Sequence, residues 1–256
     1  MAKLTARVAI VTGAAVGMGR EIVIAFGGLG ASVVVNYSKS RGEAEETAER
    51  VRKAGGEPLL VQADVSQDDQ VREMVRRTLD RFGRIDILVN NAGVTHRVPF
   101  DNLEALTDDV WDRLYSVNVK GSFFCSRAVA ETMRRQGEGR IINIASVAGL
   151  RPTGSSIAYC ASKAAMIHVS QCLSKTLGPE IRVNAIAPGM IDETRWNADV
   201  SQANLDAMRV STVQGTPMRR VGLPADVAEA AVYLATGADY MTGAVIVVDG
   251  GRQLTS

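Results

Sequence analysis

Metal chemistry has little to build on in this sequence. Its 256 residues hold two histidines and three cysteines, and Cys125, Cys160 and Cys172 form no C-x-x-C pair and no cluster with a histidine. That spacing matches none of the usual zinc frameworks, and so few thiols fit an intracellular chain with reduced cysteines better than a disulfide scaffold. No apolar run reaches membrane-spanning length, and no low-complexity stretch or fixed-period repeat occurs. Lys and Arg number 29 against 28 Asp and Glu, for a net charge of +1, so there is no electrostatic footprint for nucleic acid or an anionic membrane. Met1-Ala-Lys3 runs almost directly into the apolar Val8-Ala-Ile-Val11, which leaves no room for a signal peptide; the expected location is the cytoplasm. What remains is a composition 46% hydrophobic and 22% charged, at a length suited to a single large α/β domain over 1–256.

Short β-branched runs alternate with helical patterns along the chain. Val8–Val11, Ser32–Asn36, Pro58–Val61, Ile85–Val89, Arg140–Ile144, Ile181–Ile186 and Ala244–Val248 read as buried strands. Between them, helices are expected from Arg20, over Gly42–Ala54, along the stripe Val71, Met74, Val75, Leu79 and Phe82, over Leu106–Ala130 with an interruption at 116–119, and over Ile157–Leu177 and Pro224–Ala235. Such alternation predicts an α/β fold: a Rossmann-type, doubly wound parallel sheet of about seven strands with helices on both faces. Ser66 and Asp69 resemble a capping box. Gly27-Gly28 are expected to shorten or loosen the first helix, at about 1 kcal/mol each relative to alanine. Residues 190–223 are polar and irregular, too long for a plain connection, and read as a substrate lid.

Gly13-Ala-Ala-Val-Gly17-Met18-Gly19 falls between the first strand and the first helix. Glycines there let the backbone approach a pyrophosphate, which then rests on the free N–H groups of the helix start. A P-loop is ruled out because no Gly-Lys-Ser/Thr follows. At the end of the second strand, where a dinucleotide site places its ribose-reading residue, stand Asn36, Tyr37, Ser38, Lys39, Ser40 and Arg41. A carboxylate at that point would bond the free ribose hydroxyls of NAD and repel the extra phosphate of NADP. With no acid and two cations nearby, the sequence favours NADP(H), with NAD(H) as the alternative.

Tyr159 and Lys163 lie four apart on an expected helix, hence on one face, phenol beside ammonium. A free tyrosine titrates near pH ~10, and an opposite charge at close range favours its phenolate, moving it toward the working range of a general acid/base. Ser146 follows a strand at its carboxyl end, where open sheets of this kind bind ligands.

Thr12-Gly13-x-x-x-Gly17-x-Gly19, Asn90-Asn91-Ala92-Gly93, Asn118, Ser146, Tyr159-x-x-x-Lys163 and Pro188-Gly189 occur in one chain. In order and spacing this set resembles the short-chain dehydrogenases/reductases, most closely the branch of 3-oxoacyl-carrier-protein reductases, from Val8 to Gly251. The resemblance implies interconversion of a carbonyl and a secondary alcohol by a nicotinamide hydride. Tyr159 would be the proton carrier, Lys163 would depress its pKa and hold the nicotinamide ribose, Ser146 would bond the carbonyl oxygen, and Asn118 would anchor a water. Thr12, Gly13, Gly17, Met18 and Gly19 would form the nucleotide turn. Asn36 to Lys39, Asp64 and Val65 would face the adenosine. Asn91, Ala92 and Gly93 would flank the adenine-ribose side, and Pro188, Gly189, Ile191 and Thr194 would cover the nicotinamide. It also implies a homotetramer, a small-molecule carbonyl or alcohol substrate, and no metal.

Three departures stand out. Val16 occupies a position where NADP-using relatives often carry a cation. Glu193 stands where the family usually has threonine, with Thr194 one later, so the threonine either reaches the nicotinamide through a bulge or loses that contact. Gly27-Gly28 has no account at this level. His96, Arg97 and Arg151 are candidate substrate contacts and His168 a packing or interface residue. An NAD-dependent sugar or other alcohol dehydrogenase, and a non-catalytic nucleotide-sensing scaffold, are the alternatives.

Overall fold

The computed structural model describes residues 4–255. Seven strands form one parallel sheet: β1 (Val8–Val11), β2 (Ser32–Tyr37), β3 (Glu57–Gln62), β4 (Ile87–Asn90), β5 (Gly139–Ile144), β6 (Ile181–Pro188) and β7 (Val245–Val248). Their spatial order is 3-2-1-4-5-6-7. Eight helices connect them: α1 (Gly17–Gly28), α2 (Arg41–Ala54), α3 (Asp68–Phe82), α4 (Asp108–Tyr115), α5 (Ser122–Gln136), α6 (Ile157–Leu177), α7 (Gln202–Gly215) and α8 (Pro224–Thr236).

Alternate residues of each strand point to opposite faces, and the buried clusters follow that alternation. Ala9, Val11, Val33 and Val35 pack with Ile22, Val23 and Phe26 of α1 and with Val227 and Leu234 of α8. Ile10, Val34 and Leu88 pack on the other face with Val71 and Met74 of α3 and with Val129 and Met133 of α5. Strand order reverses between β1 and β4, so the loops at their carboxyl ends diverge and leave a crevice.

Three local expectations change. Ser66 makes no capping box: its N–H and hydroxyl both donate to Asp64 Oδ1, at 2.9 and 2.7 Å, and the residue before α3 is Gln67, which makes no side-chain cap. Residues 190–223 are not irregular throughout, because α7 and a 3-10 turn at Arg195–Asn197 lie within them. Finally, α1 continues through Gly27-Gly28 to its end. A Cβ on Gly27 would lie 3.0 Å from Val51 Cγ1, and one on Gly56 would lie 2.5 Å from Gly27 Cα; the bare Cα lets α1 sit against the end of α2. Nothing in the structure demands glycine at 28.

The expected interruption of the helix over 106–130 is a π-helical turn, Ser116–Gly121, between α4 and α5. Such turns widen the helix by one residue and occur often at functional sites. This one carries Asn118.

Candidate active site

The carboxyl ends of β1, β4, β5 and β6 open into one cleft of about 1560 Å³. Of the expected residues, Gly13, Gly17, Met18, Asn36, Ser38, Asp64, Val65, Asn91, Ala92, Gly93, Ser146, Tyr159, Lys163, Pro188, Gly189, Ile191 and Thr194 line it. Thr12, Gly19, Tyr37, Lys39 and Asn118 do not appear in that lining, and most of them support it from behind. The Thr12 hydroxyl accepts from Asn91 and Ala92 N–H, both at 3.0 Å. Asn91 in turn donates to Thr12 and Gly13 carbonyls at 2.9 and 3.0 Å, which ties the turn after β4 to the turn after β1. Tyr37 is buried and Lys39 is exposed.

The nucleotide end suits an anion. Gly17 has φ +58°, a left-handed conformation that disfavours any Cβ. Val16, before α1, provides no side-chain cap, and the first turn of α1 holds no acidic residue. The N–H groups at that helix start therefore remain available, beside the positive end of the helix dipole. This cradle fits the pyrophosphate of a dinucleotide. Asp64 lines the same cleft, with Asn36 and Ser38. Partial burial pushes its carboxyl up, but hydrogen bonds from Ser66, with Arg113 and Lys39 nearby, hold it below the usual carboxylate value.

Asn36 behaves differently from a ribose reader. Its Oδ1 accepts from Gly13 N–H at 3.1 Å, and its Nδ2 donates to the carbonyls of Val61 and Ala63 at 3.3 and 3.0 Å. The amide bonds inward, joining the glycine turn to β3. Asn36→Asp, the obvious change for favouring NAD, would set a buried carboxylate against two carbonyl oxygens. A loss of roughly 3 kcal/mol or more of stability is expected, read as a fall in Tm without a gain in NAD use.

At the other end of the cleft, Tyr159 and Lys163 share one face of α6. The Ser156 hydroxyl accepts from Tyr159 N–H at 3.2 Å, an N-cap that fixes the phenol in the first turn. Ser146, two residues past the end of β5, is in extended conformation and accepts from Ala148 N–H at 3.1 Å; its hydroxyl also hydrogen-bonds the Tyr159 phenol. Lys163 Nζ donates to the Ile144 carbonyl at 2.9 Å and lies 5.9 Å from the centre of the Tyr159 ring. Asn118 reaches α6 through Ser162 Oγ at 3.0 Å, and it brackets Val94, accepting from its N–H at 2.8 Å and donating to its carbonyl at 3.0 Å.

The electrostatics of the pair differ from the expectation. Burial pushes the Tyr159 phenol well above its ordinary value, while Ser146 and Arg97 act to lower it. Burial also pushes the Lys163 ammonium down to about 8. Both groups are dry, and desolvation outweighs the mutual effect anticipated from their spacing.

Ile191 and the run Thr194 to Asn197 line the cleft from the chain after β6. Glu193 takes φ +53°, a left-handed kink just before Thr194. Thr194 follows with its methyl beside the glycine turn: a Cβ on Gly17 would lie 3.3 Å from Thr194 Cγ2. Arg195 pairs with Glu43 and reaches Ser40 Oγ at 3.4 Å. The Trp196 ring packs on Tyr159 with centroids 5.5 Å apart. His96 and His168 are both exposed and outside the cleft lining. The sequence gives no local signal for the roles of Arg195 and Trp196, since their partners lie far away in the chain.

A family model described as enoyl-(acyl carrier protein) reductase matches residues 13–253. The chain belongs to the short-chain dehydrogenase/reductase family. It is 40% identical to a 3-oxoacyl-[acyl-carrier-protein] reductase of Synechocystis, over 98% of each chain. Among solved structures it resembles a gluconate 5-dehydrogenase from Burkholderia cenocepacia in complex with NADP and tartrate (TM-score 0.88, 32% identity, 99% of this chain and 98% of that one). It also resembles a 7α-hydroxysteroid dehydrogenase complexed with NADH and 7-oxo glycochenodeoxycholic acid (TM-score 0.88, 34% identity, 97% and 95%). Like its relatives, the protein is a short-chain, nicotinamide-dependent oxidoreductase, with the fold of that family. Among the described residues, no helix is long and apolar enough to cross a membrane, and no group of metal-ligating side chains occurs.

Proposed function

We propose that this chain is an NADP(H)-dependent reductase of 3-oxoacyl thioesters or related ketones. The observation that carries this reading is the convergence of the Tyr159 phenol, the Ser146 hydroxyl and the buried Lys163 ammonium on one wall of a dinucleotide-shaped cleft. A nicotinamide dinucleotide bound along the glycine turn supplies the hydride. The chain's own groups orient the carbonyl and manage its proton. Ser146 and Tyr159 donate hydrogen bonds to the carbonyl oxygen, stabilising the negative charge that develops there. The Tyr159 phenol, raised by burial, is protonated at neutral pH, the form needed to give a proton to that oxygen. Lys163 holds positive charge beneath the ring and is placed to bond a ribose hydroxyl. Asn118, through Val94 and Ser162, fixes the loop after β4 against α6.

For the cofactor, the absence of any carboxylate at 36–41 and the presence of Ser38 and Ser40 at that corner support NADP(H), while Arg195 stands there paired with Glu43. Val16, apolar beside the same turn, favours the second reading, an NAD-dependent sugar or other alcohol dehydrogenase. Comparing kcat/KM for NADPH and NADH separates the two. NADPH is expected to win, and Ser38→Asp, which places a carboxylate in the cleft without disturbing Asn36, is expected to cut that preference by roughly tenfold or more. A wild-type preference for NADH would overturn the cofactor assignment. We further propose a homotetramer, a reading that the exposed apolar side chains of Phe123, Tyr240 and Leu254 support.

A further inference from the structure

The 3-10 turn Arg195–Asn197 and helix α7 contribute no buried residue. Trp196 is partly buried against the cluster of Leu114, Ala148, Ala158 and Tyr159, and the backbone and polar side chains around it are held by polar ties. On the substrate side those ties come from Arg97. Its guanidinium donates to the Trp196 carbonyl at 3.3 Å, to Asn197 Oδ1, and to Asp199 Oδ1 at 3.3 Å. The base of Arg97 is itself fixed. Asn118 brackets Val94, Thr95 Oγ1 bonds Ser155 Oγ, and Val98 N–H donates to the Ser155 carbonyl at 2.9 Å. Ser155 immediately precedes the cap of α6, so the loop carrying Arg97 and the helix carrying Tyr159 share one anchor.

We propose that Arg97 is a positioning residue that clamps Trp196 onto the ring of Tyr159, and that Trp196 so held forms the wall limiting the substrate pocket to slender ketones. With its ring 5.5 Å from that of Tyr159 and tilted by 56°, Trp196 occupies the space beside the phenol where a bulky substituent on the carbonyl carbon would have to lie. Ketones with unbranched acyl chains pass this wall; those with an aryl or branched group next to the carbonyl do not. The substrate half of this inference rests on the reductase reading, and the clamp half stands without it.

The chain has two tryptophans, and Trp111 packs on Tyr115 of α4. In a Trp111→Phe background Trp196 is the sole tryptophan reporter. Arg97→Met is expected to shift its emission to the red and increase quenching by acrylamide, with no nucleotide added. The same variant is expected to raise KM for ethyl acetoacetate roughly tenfold while kcat changes less than about threefold. Asn197→Ala, which removes the lid end of the clamp, is expected to act the same way more weakly. Trp196→Ala is expected to raise kcat/KM for acetophenone relative to ethyl acetoacetate. An unchanged emission in Arg97→Met overturns the clamp. A changed emission with unchanged KM and an unchanged acetophenone ratio overturns the selectivity. Loss of all ketone reduction in the parent protein would instead remove the reductase reading and leave the emission result standing.

Discussion

Replacing Tyr159 by phenylalanine is expected to lower kcat by about 10²- to 10⁴-fold, the range for loss of a positioned general acid, while the dissociation constant for NADPH stays unchanged. The phenyl ring keeps the packing against Trp196 and removes only the hydroxyl that faces Ser146. No nearby group can take over: Lys163 Nζ is bonded to Ile144 carbonyl, and His96 lies outside the cleft lining. Single-turnover oxidation of bound NADPH by a ketone, measured beside equilibrium binding of NADPH, reads both quantities. Retained turnover would move the proton donor elsewhere.

Replacing Lys163 by methionine is expected to abolish most activity and yet to make the protein more stable at neutral pH. The ammonium is almost wholly buried, and burial lowers its pKa from 10.5 to about 8. The folded state therefore binds its proton more weakly than the unfolded state. Below pH 8 both states are protonated, and the folded one bears the full cost of a desolvated charge. Between pH 8 and 10.5 the folded lysine loses its proton first, so stability rises with pH; above that window the cost is gone. A shift of this size corresponds to roughly 3 kcal/mol, partly offset by the lost hydrogen bond to Ile144. Urea unfolding of both proteins is expected to show a gap in favour of Lys163→Met below pH 8 that closes by pH 10.5. A gap that does not vary with pH would mean that the lysine is hydrated in the folded protein.

Much of the fold was legible because its signals are local. Runs such as Val33-Val34-Val35 are buried on both faces and read as central strands without further context. The glycine turn, the pair on α6 and the strand-end serine were legible for the same reason: each depends on spacing within one element. What was not legible depends on partners far away in the chain. Asn36 occupies the ribose-reading position, yet its amide bonds carbonyls of β3 that no pattern around it announces. Ser66 looked like a cap, but Asp64, two residues away, captured it. Helix α7 buries no residue and so displays no apolar stripe; only the Ser201 hydroxyl, accepting from Asn204 N–H at 3.4 Å, marks its start. Arg97 and Trp196 meet across about a hundred residues. Spacing reveals a neighbouring charge but not the dryness of the place where both groups sit, so the direction of the Tyr159 shift is not legible in it.

Consumption of NADPH in the presence of carbonyl compounds, followed at the nicotinamide absorbance over 3-oxoacyl thioesters, sugars, steroids and small ketones, tests the central claim most directly. The arrangement of Ser146, Tyr159 and Lys163 predicts turnover with at least one slender ketone or thioester, and its loss in Tyr159→Phe. Tight binding of NADPH with no oxidation across the whole panel would contradict it.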